Sequence, residues 1–307
     1  MSLRIIFLGT AASIPTVDRA LSAVAILRKG ELILFDCGEG TQRQMIKAKV
    51  GFNRKTRVFI THMHGDHVLG LPGLLQTMSL LGREKSLQIY GPIGIKDFLE
   101  AMIRTVRFSL GFLVEIYELN TQGVIYEGKE YEVHTTWAEH SIPSLAYALI
   151  EKPRPGRFYP ERAVSLRVSK GPLWSRLQQG YQIKLEDGSI VRPGDVLGPP
   201  HPGRRIVYVG DTRPSEAIVR LAENADVLIH ESTFSDDLAD RAKEDMHSTP
   251  GEAALVAKKA NVKLLILTHV SARYGDSNTI LNQAKKTFPN TYAAEDLMKI
   301  DVPLLEE

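Results

Sequence analysis

The sequence is poor in cysteine, because Cys37 is the only one among 307 residues. A single cysteine excludes a disulfide within the chain and any metal site built from several thiolates. We therefore expect a reducing, cytoplasmic location. Any metal site would have to use imidazoles and carboxylates.

An excess of charge and a long hydrophobic run are also missing. The 38 Lys and Arg residues face 36 Asp and Glu, and a formal net charge of +2 does not by itself indicate a nucleic-acid or membrane partner. Any basic surface therefore has to be local. The apolar run at residues 5–8 is too short for the core of a signal peptide, and no stretch approaches the length that spans a bilayer. We expect no membrane segment.

Short β-branched runs alternate with helical patterns, which predicts a layered α/β fold. A hairpin is expected to turn at Lys29 and Gly30, and a second one at Asp187 and Gly188. Between residues 151 and 202 the pattern becomes irregular and rich in Pro, Gly and Arg. The sequence therefore predicts one long insertion in an α/β domain.

Several predicted strands end on residues that can do chemistry. These residues are His62, Asp211, the pair His230 and Glu231, and His269. In α/β sheets the ligand crevice lies beyond the carboxyl ends of the strands. We expect the side chains to converge there although they are distant in sequence.

The stretch THMHGDH places His62, His64, Asp66 and His67 on one loop. Because the side chains of adjacent residues point apart, all four cannot coordinate one ion in a favourable geometry. They can coordinate two ions. Imidazole and carboxylate ligands suit zinc, manganese or iron. Two such ions about 3.5–4 Å apart are a common device for in-line displacement at phosphorus.

Simpler interpretations exist for each residue alone. A single histidine at a strand end, such as His140 or His269, is more often a hydrogen-bonded structural residue than a ligand. Asp211 could be a turn former or a helix cap. The four-residue cluster is harder to explain structurally, because so many buried titratable groups would otherwise be unfavourable.

The cluster resembles the signature of the metallo-β-lactamase superfamily, and further stretches resemble the ribonuclease Z family, endonucleases that remove the 3′ trailer from precursor tRNA. These stretches are FLGTAASIP, FDCGEGTQRQM, HGDHVLGLPGLL, YVGDT, HEST, HST and LTHVSARY. The resemblance covers nearly the whole chain. It implies one domain over residues 1–307, folded as an αβ/βα four-layer sandwich, with an inserted flexible arm at residues 151–180.

The resemblance also implies two Zn²⁺ ions per subunit, with Mn²⁺ or Fe²⁺ as alternatives. The implied ligands are His62, His64, His140 and Asp211 for one ion, and Asp66, His67, Asp211 and His269 for the other. By the same resemblance, Asp66 acts as a base that orients the attacking hydroxide. Asp36 is expected to hold the ligand loop by hydrogen bonds, and His134 to be structural.

A general acid is needed to protonate the ribose oxygen that leaves, and His247 is the candidate. Thr249 and Glu252 have capping-box spacing, so His247 should precede a helix N-terminus, which disfavours the imidazolium. A carboxylate partner would counter this, and by resemblance it is Glu231. Alternatively, His247 lies on a loop and has no catalytic role, and Glu231 forms a buried structural pair with His230.

The insertion is the best indication of the substrate. Between residues 152 and 176 seven Lys and Arg residues stand with one Glu, a net charge of +6 in a chain whose total is +2. Such a segment can contact several phosphates. The arm residues predicted to bind precursor tRNA are Arg154, Arg157, Arg162, Arg167, Lys170, Gly171 and Pro172. A solvated loop is the alternative.

Two further expectations follow from the resemblance. In the family the arm of one subunit serves the active site of the other, so we expect a homodimer. Arg273 is a candidate phosphate contact, with a surface arginine as the alternative. Family members often carry Pro-x-Lys-x-Arg-Asn after the first strand, but here Val17 and Ala20 replace the Lys and Asn. The position of cleavage and the treatment of a CCA end therefore stay open.

Two other functions compete with a tRNA endonuclease. One is a small phosphodiesterase or another hydrolase on the same fold, which would have no use for the basic insertion. The other is an RNA-binding scaffold with a dead site. The complete set of ligand candidates argues against the scaffold.

Overall fold

Two seven-stranded mixed sheets make up most of the chain in a computed structural model, which describes residues 3–304. The first sheet has the order β18-β1-β3-β4-β5-β6-β7. Its strands are β1 Leu3–Gly9, β3 Ala23–Arg28, β4 Glu31–Phe35, β5 Lys55–Phe59, β6 Leu87–Pro92, β7 Val114–Leu119 and β18 Lys299–Val302.

The second sheet has the order β17-β15-β14-β13-β10-β9-β8. Its strands are β8 Gly123–Glu127, β9 Tyr131–Ala138, β10 Ser144–Glu151, β13 Arg205–Val209, β14 Val227–Glu231, β15 Leu265–Thr268 and β17 Thr291–Ala293. Two short pairs complete the strands: β2 Ala11–Ala12 with β16 Val270–Ser271, and β11 Ile183–Lys184 with β12 Ile190–Val191.

Helices pack on both sheets. The helices are α1 Thr41–Ala48, α2 Gly65–Val68, α3 Gly70–Leu80, α4 Ile95–Val106, α5 Pro160–Ser165, α6 Pro172–Gln178, α7 Pro193–Val196, α8 Glu216–Leu221, α9 Ala239–Glu244, α10 Pro250–Lys259 and α11 Asn278–Lys285. Helix α1 packs on β1, and α10 packs on β15. A single 3₁₀ turn, Asp236–Leu238, precedes α9. Among the described helices none has the length and apolar character needed to span a bilayer.

Separate hydrophobic clusters join each sheet to its helices. The first contains Leu34 and Val58 from the strands and Leu74 from α3, and the second contains Val207 from β13 and Ala254 from α10. All of these side chains are fully buried. These two clusters explain why the strand segments are almost continuously apolar in the sequence.

Aromatic side chains fill the space between the two sheets. The rings of Phe35 and Tyr208 are 5.2 Å apart, those of Phe59 and Tyr147 are 5.4 Å apart, and the Tyr147 hydroxyl donates to the carbonyl of Ile60 at 2.6 Å. The order of layers is therefore helix, sheet, sheet, helix. This confirms the predicted αβ/βα sandwich.

The hairpin between β3 and β4 turns where the sequence predicts. Arg28 pairs with Glu31, and Lys29 and Gly30 between them have φ angles of 46° and 84°. Two consecutive left-handed residues are the geometry of a type I′ turn, whose twist matches that of the strands. The turn therefore fixes the register of β3 on β4.

A second compact unit consists of residues Lys129–Tyr131 and Glu151–Gly203, together with Leu304 at the end of the described chain. It contains α5, α6, α7 and the β11–β12 hairpin, which turns through Gly188 at a φ of 86°. Its own hydrophobic cluster includes Ala163, Leu177 and Val196. The segment predicted as the arm, residues 151–180, lies within this unit, which continues to Gly203.

Candidate active site

The ligand loop begins where β5 ends. His62 and His64 lie between β5 and α2, and His67 lies within α2. The Cys37 N–H donates to the carbonyl of His67 at 2.8 Å, and the Gly70 N–H donates to the carbonyl of Cys37 at 2.9 Å. A Cβ at Gly70 would lie 1.9 Å from the carbonyl oxygen of Gly38, so only glycine allows this approach.

The other ligand candidates also follow strands. His140 comes after β9, Asp211 after β13 and His269 after β15. His269 has a φ of 57°, a left-handed conformation that is costly for a residue with a Cβ. The structure brings all of them to the ligand loop, as expected from the carboxyl ends of neighbouring strands.

The first group of donor atoms comprises His62, His64, His140 and Asp211. Nδ1 of His64 lies 3.0 Å from Nε2 of His62 and 3.2 Å from Nε2 of His140. Oδ2 of Asp211 lies 3.5 Å from Nε2 of His62 and 3.8 Å from Nε2 of His140. These four atoms surround one point.

The second group comprises Asp66, His67, Asp211 and His269. The Nε2 atoms of His67 and His269 are 3.3 Å apart, and Oδ1 of Asp211 lies 3.3 Å from the first and 3.1 Å from the second. Oδ2 of Asp66 lies 3.5 Å from Nε2 of His67 and 3.3 Å from Nε2 of His269. Asp211 thus presents one oxygen to each group.

These distances fit metal ligands. Two nitrogen ligands about 2.0–2.1 Å from a tetrahedral zinc ion are about 3.3 Å apart, close to the ring-nitrogen separations in both groups. Oδ1 of Asp211 is buried and accepts no hydrogen bond from any residue in the described range 3–304. An unsatisfied buried carboxylate oxygen is costly unless a cation lies beside it. The cluster therefore has the geometry and the chemistry of a metal site.

The outer nitrogens of four ligand candidates are held by hydrogen bonds at 2.8–3.0 Å. Such contacts fix the ring orientation and the tautomer of a metal-binding histidine. The partners are Thr61 for His62, Asp36 for His67, the carbonyl of Met246 for His140, and Thr233 for His269.

Asp36 holds the ligand loop, in the way the sequence indicates. Its fully buried carboxylate accepts from the main-chain N–H of Thr61 at 2.8 Å and from the Tyr208 hydroxyl at 2.8 Å, and it lies 2.8 Å from Nδ1 of His67. Asp36 has a φ of 55°, so its backbone is strained as well. The carboxylate links both sheets to the ligand loop.

Glu231 and His247 form a pair beside the cluster. Nδ1 of His247 lies 2.8 Å from Oε1 of Glu231 and 3.9 Å from Oδ2 of Asp211. Burial lowers the pKa of His247, but the charge and hydrogen bond of Glu231 outweigh it and raise the pKa to about 9. The capping box of Thr249 and Glu252 is formed at the start of α10, so the helix N-terminus does follow His247.

His230 takes no part in that pair. Its Nδ1 donates to the main-chain carbonyl of Glu231 at 2.8 Å, and its ring is fully buried. Burial lowers the pKa of His230, so the ring stays neutral.

His134 lies within β9, with Nε2 2.9 Å from Glu132. Neither His134 nor His230 belongs to the groups that could hold a metal ion.

Arg273 lies near the pair. It is exposed, and its guanidinium is 4.7 Å from the ring centre of Phe234, which in turn lies 5.9 Å from the ring of His247. The loop that contains Val17 and Ala20 is also close, because the Ser13 N–H donates to Oδ2 of Asp66 at 2.8 Å.

Most of the predicted arm residues are exposed within the second unit. Arg154 is the exception: it is half-buried and its main chain is paired with that of His201. Trp174 is half-buried, its N–H donates to the carbonyl of Val168 at 3.0 Å, and its ring centre lies 5.0 Å from that of Phe158. The exposed arm residues are Arg157, Arg162, Arg167, Lys170, Gly171 and Pro172.

Two residues that the sequence argument missed lie at the site. The Thr233 hydroxyl donates to Oε2 of Glu231 at 2.7 Å and lies 2.8 Å from Nδ1 of His269. Arg213 contacts the segment that carries His247. The only signal in the sequence is that each lies two residues after a candidate, Thr233 after Glu231 and Arg213 after Asp211.

Comparisons with known proteins agree with this geometry. Residues 3–141 match the family profile described as anti-Pycsar protein Apyc1, and residues 191–270 match the profile of the β-lactamase superfamily domain. The crystal structure of the short form of human tRNase Z is similar, with a TM-score of 0.73 and 31% identity over 98% of this chain and all of that one. The fold is that of the metallo-β-lactamases.

Curated relatives are similar over almost their whole length. A ribonuclease Z of Methanosarcina acetivorans is 51% identical over 306 residues, which cover 99% of this chain and all of the relative. A ribonuclease Z of Methanosarcina mazei is 52% identical over 98% of both chains. The chain therefore belongs to the ribonuclease Z family.

Proposed function

We propose that this protein is a metal-dependent endoribonuclease that removes the 3′ trailer from precursor tRNA by hydrolysis of one phosphodiester. The observation that carries the proposal is the joint presence of both ligand groups and the Glu231–His247 pair. A cation site beside a proton donor suits a phosphodiester with a basic leaving group. The name of the similar human structure, tRNase Z, supports tRNA as the substrate.

The proposed cofactor is two Zn²⁺ ions per subunit. The first group of donor atoms would hold one ion and the second group the other, with Asp211 shared between them. When bound, the ions would supply Lewis-acid stabilisation of the negative charge that develops on the phosphodiester oxygens. The nitrogen and oxygen donor set supports zinc, and manganese or iron would fit the same donors.

Asp66 is the residue that would orient the attacking water. Burial raises the pKa of its carboxyl group, but hydrogen bonds with His269 and His67 outweigh this and hold the pKa well below its ordinary value. The group is therefore ionised and accepts hydrogen bonds. The Ser13 N–H fixes one of its oxygens.

His247 would protonate the ribose oxygen that leaves. Its Nδ1 is taken by Glu231, which leaves Nε2 for the substrate. The carboxylate of Glu231 raises the pKa of His247 and so favours the protonated ring that a general acid requires. General acid catalysis of this kind contributes about 10²- to 10⁴-fold to a rate.

The arm of the second unit would contact the tRNA backbone. The exposed side chains of Arg157, Arg162, Arg167 and Lys170 supply positive charge. Such groups bind phosphates with little regard to sequence, which suits an enzyme that acts on many tRNAs. Arg273 would contact a phosphate nearer the metals.

A homodimer in the cytoplasm completes the proposal. Large apolar side chains that are exposed in one copy of the chain, such as Leu80 at 83% and Leu113 at 65%, support a partner surface. Buried Cys37, the only cysteine, fits a reducing compartment.

One experiment tests the proposal directly. The purified protein is incubated with a precursor tRNA that carries a trailer, with and without a chelator, and the product ends are mapped. We expect cleavage at the trailer junction that a chelator stops and added Zn²⁺ restores. Cleavage that is insensitive to the chelator, or no cleavage of any precursor, would refute the proposal.

A small phosphodiesterase is the second candidate, because the same two groups of donor atoms would serve the hydrolysis of any phosphodiester. The arm separates the two candidates. An enzyme for a small diester does not need the exposed arm cations, whereas a tRNA endonuclease loses affinity without them.

A further inference from the structure

Arg213 lies two residues after Asp211, and its guanidinium points to the segment that carries His247. Nη1 donates to the main-chain carbonyl of His247 and, at 2.8 Å, to Oε2 of Glu252, while Nη2 donates to Oε1 of Glu252. Only 17% of the side chain is exposed. The planar guanidinium thus joins the carbonyl of the proposed acid to the first turn of α10.

The segment that Arg213 contacts is strained and needs support. Met246 has a φ of 59°, which residues with a Cβ adopt rarely and which persists only when the surroundings enforce it. The neighbouring bonds run from the His247 N–H to the carbonyl of Ala242 at 2.7 Å and from the Ser248 hydroxyl to the carbonyl of Thr212 at 2.6 Å. The Arg213 contact is the one that holds the His247 carbonyl itself.

The main chain of Arg213 supports a second active-site segment. Its N–H donates to the carbonyl of Glu139 at 2.7 Å, next to His140, and Nδ1 of His140 donates to the carbonyl of Met246 at 3.0 Å. One residue therefore contacts both segments that carry the His140 and His247 rings, whose centres are 5.2 Å apart.

We propose that Arg213 is a positioning residue for the reaction: by binding the carbonyl of His247 and the carboxylate of Glu252, it holds the His247 imidazole where it protonates the leaving oxygen. This inference rests on the proposed function. The reaction forms a bond from a water oxygen to phosphorus, with a proton of the water passing to the carboxylate of Asp66, and breaks the bond from phosphorus to the ribose 3′ oxygen. The electron pair of the broken bond stays on that oxygen, which takes a proton from Nε2 of His247.

The leaving group makes the inference testable. A ribose alkoxide is strongly basic and needs the acid, whereas p-nitrophenolate is weakly basic and leaves without a proton. A change that only misplaces the acid therefore slows cleavage of precursor tRNA and spares bis(p-nitrophenyl) phosphate. A change that disrupts the fold or the metal site slows both reactions.

The main variant is Arg213→Met, which keeps the length of the side chain and removes its donors. We expect kcat for precursor tRNA to fall by about 100-fold, the cost of a misplaced group, with KM for tRNA unchanged. The kcat for bis(p-nitrophenyl) phosphate and the bound metal should stay at the level of the unaltered protein. An equal loss on both substrates, or no loss on either, would overturn the inference.

Lys259→Met is the matched control. Lys259 lines the same cavity of about 390 Å³ as Arg213 and Glu252, but it pairs with Glu216 at 3.1 Å and makes no contact with His247 among the described residues. We expect it to leave both reactions unchanged. If Arg213→Met does not fold, Arg213→Lys, which keeps the charge and one donor group, should show the same selective loss at smaller size. A non-selective effect of Arg213→Lys would overturn the inference.

His247→Ala separates this inference from the proposed function. We expect His247→Ala to slow only the tRNA reaction, and the double variant with Arg213→Met to be no slower than His247→Ala alone. If His247→Ala slows both substrates alike, the proposed acid is wrong, and the inference fails with it. If His247→Ala is selective and Arg213→Met is not, only the inference fails.

Discussion

Among the described residues Asp211 is the one shared by both groups of candidate metal ligands, through Oδ2 on one side and Oδ1 on the other. We predict that Asp211→Ala reduces bound zinc and abolishes cleavage, because both groups lose a donor. Binding of tRNA should largely survive, since the arm cations belong to the second unit. Elemental analysis, a cleavage assay and a tRNA titration on the same preparation measure the three effects.

The control is Asp301→Asn, which removes a carboxylate that is 59% exposed and pairs with Arg4 at 2.8 Å. It should leave the metal content, the cleavage rate and the affinity for tRNA unchanged. Loss of tRNA binding in Asp211→Ala to the same extent as loss of cleavage would contradict separate roles for the metal site and the arm.

The buried side chain of His230 should make the free energy of unfolding depend on pH. Burial lowers its pKa in the folded state, so the unfolded state binds the proton more tightly and the free energy of unfolding decreases as the pH falls below 6.5. The loss from this residue is at most about 2 kcal/mol at pH 5. Urea unfolding between pH 7.5 and 5 measures it.

His230→Asn is the matched variant, because the amide can still donate to the carbonyl of Glu231 but does not titrate. Its free energy of unfolding should depend less on pH than that of the unaltered protein over the same range. Parallel pH profiles for the two proteins would show that His230 does not contribute.

At the scale of elements, the arm carries its charge on a unit with its own hydrophobic cluster. We predict that replacing Arg157, Arg162, Arg167 and Lys170 by Gln weakens the binding of precursor tRNA. The slope of log K against log salt concentration should also become less steep, by an amount that corresponds to the loss of up to about four phosphate contacts. The rate on bis(p-nitrophenyl) phosphate should not change. Binding titrations at several salt concentrations give the slope.

The control replaces Lys47, Lys85, Lys96 and Lys243 by Gln, four exposed lysines outside that unit. An equal loss of tRNA affinity in both sets would mean that net charge, rather than the arm, binds the RNA. An unchanged affinity in the arm variant would favour the small phosphodiesterase.

Elements with a strong local pattern are predictable from this sequence, and short ones are not. The buried runs gave β5, β13 and β15, and Lys29 and Gly30 identified a hairpin, because the physical signal lies within a few adjacent residues. Helices α5 and α6 have six and seven residues, and each begins with a proline in a segment rich in turn formers. The sequence therefore looks irregular where the structure is helical.

The residues of the site likewise divide into those that the sequence predicts and those that it does not. The ligand candidates could be found because a dense His and Asp cluster has few structural explanations, and because strand ends converge in α/β folds. Arg213 and Thr233 could not be found, since an arginine and a threonine after a strand have many ordinary roles. Their importance depends on which distant residues they touch.

At the scale of the whole molecule, the metal site draws donors from both halves of the sandwich. His62, His64, Asp66 and His67 follow the first sheet, whereas His140, Asp211 and His269 follow strands of the second. Cations bound there would link the two sheets, and we expect them to bind the folded state more tightly than the unfolded one. Removal of the metal should therefore destabilise the protein by about 3 kcal/mol for each ion, or about 5–6 kcal/mol for two, if the free ion is at 100 times its Kd.

Thermal unfolding with and without a chelator measures this effect. We expect Tm to fall when metal is removed and to recover when Zn²⁺ is added back. The Asp211→Ala variant is the control, because its Tm should respond little to either treatment. A Tm that is insensitive to the chelator, while elemental analysis shows that the metal has left, would contradict the cross-link.

The separate hydrophobic cluster of the second unit has a consequence for evolution. Because that unit packs around its own side chains, mutations there can change its size and charge without altering the hydrophobic clusters that join the two sheets to their helices. Relatives can therefore differ in the length and charge of this unit while the residues at the strand ends are conserved.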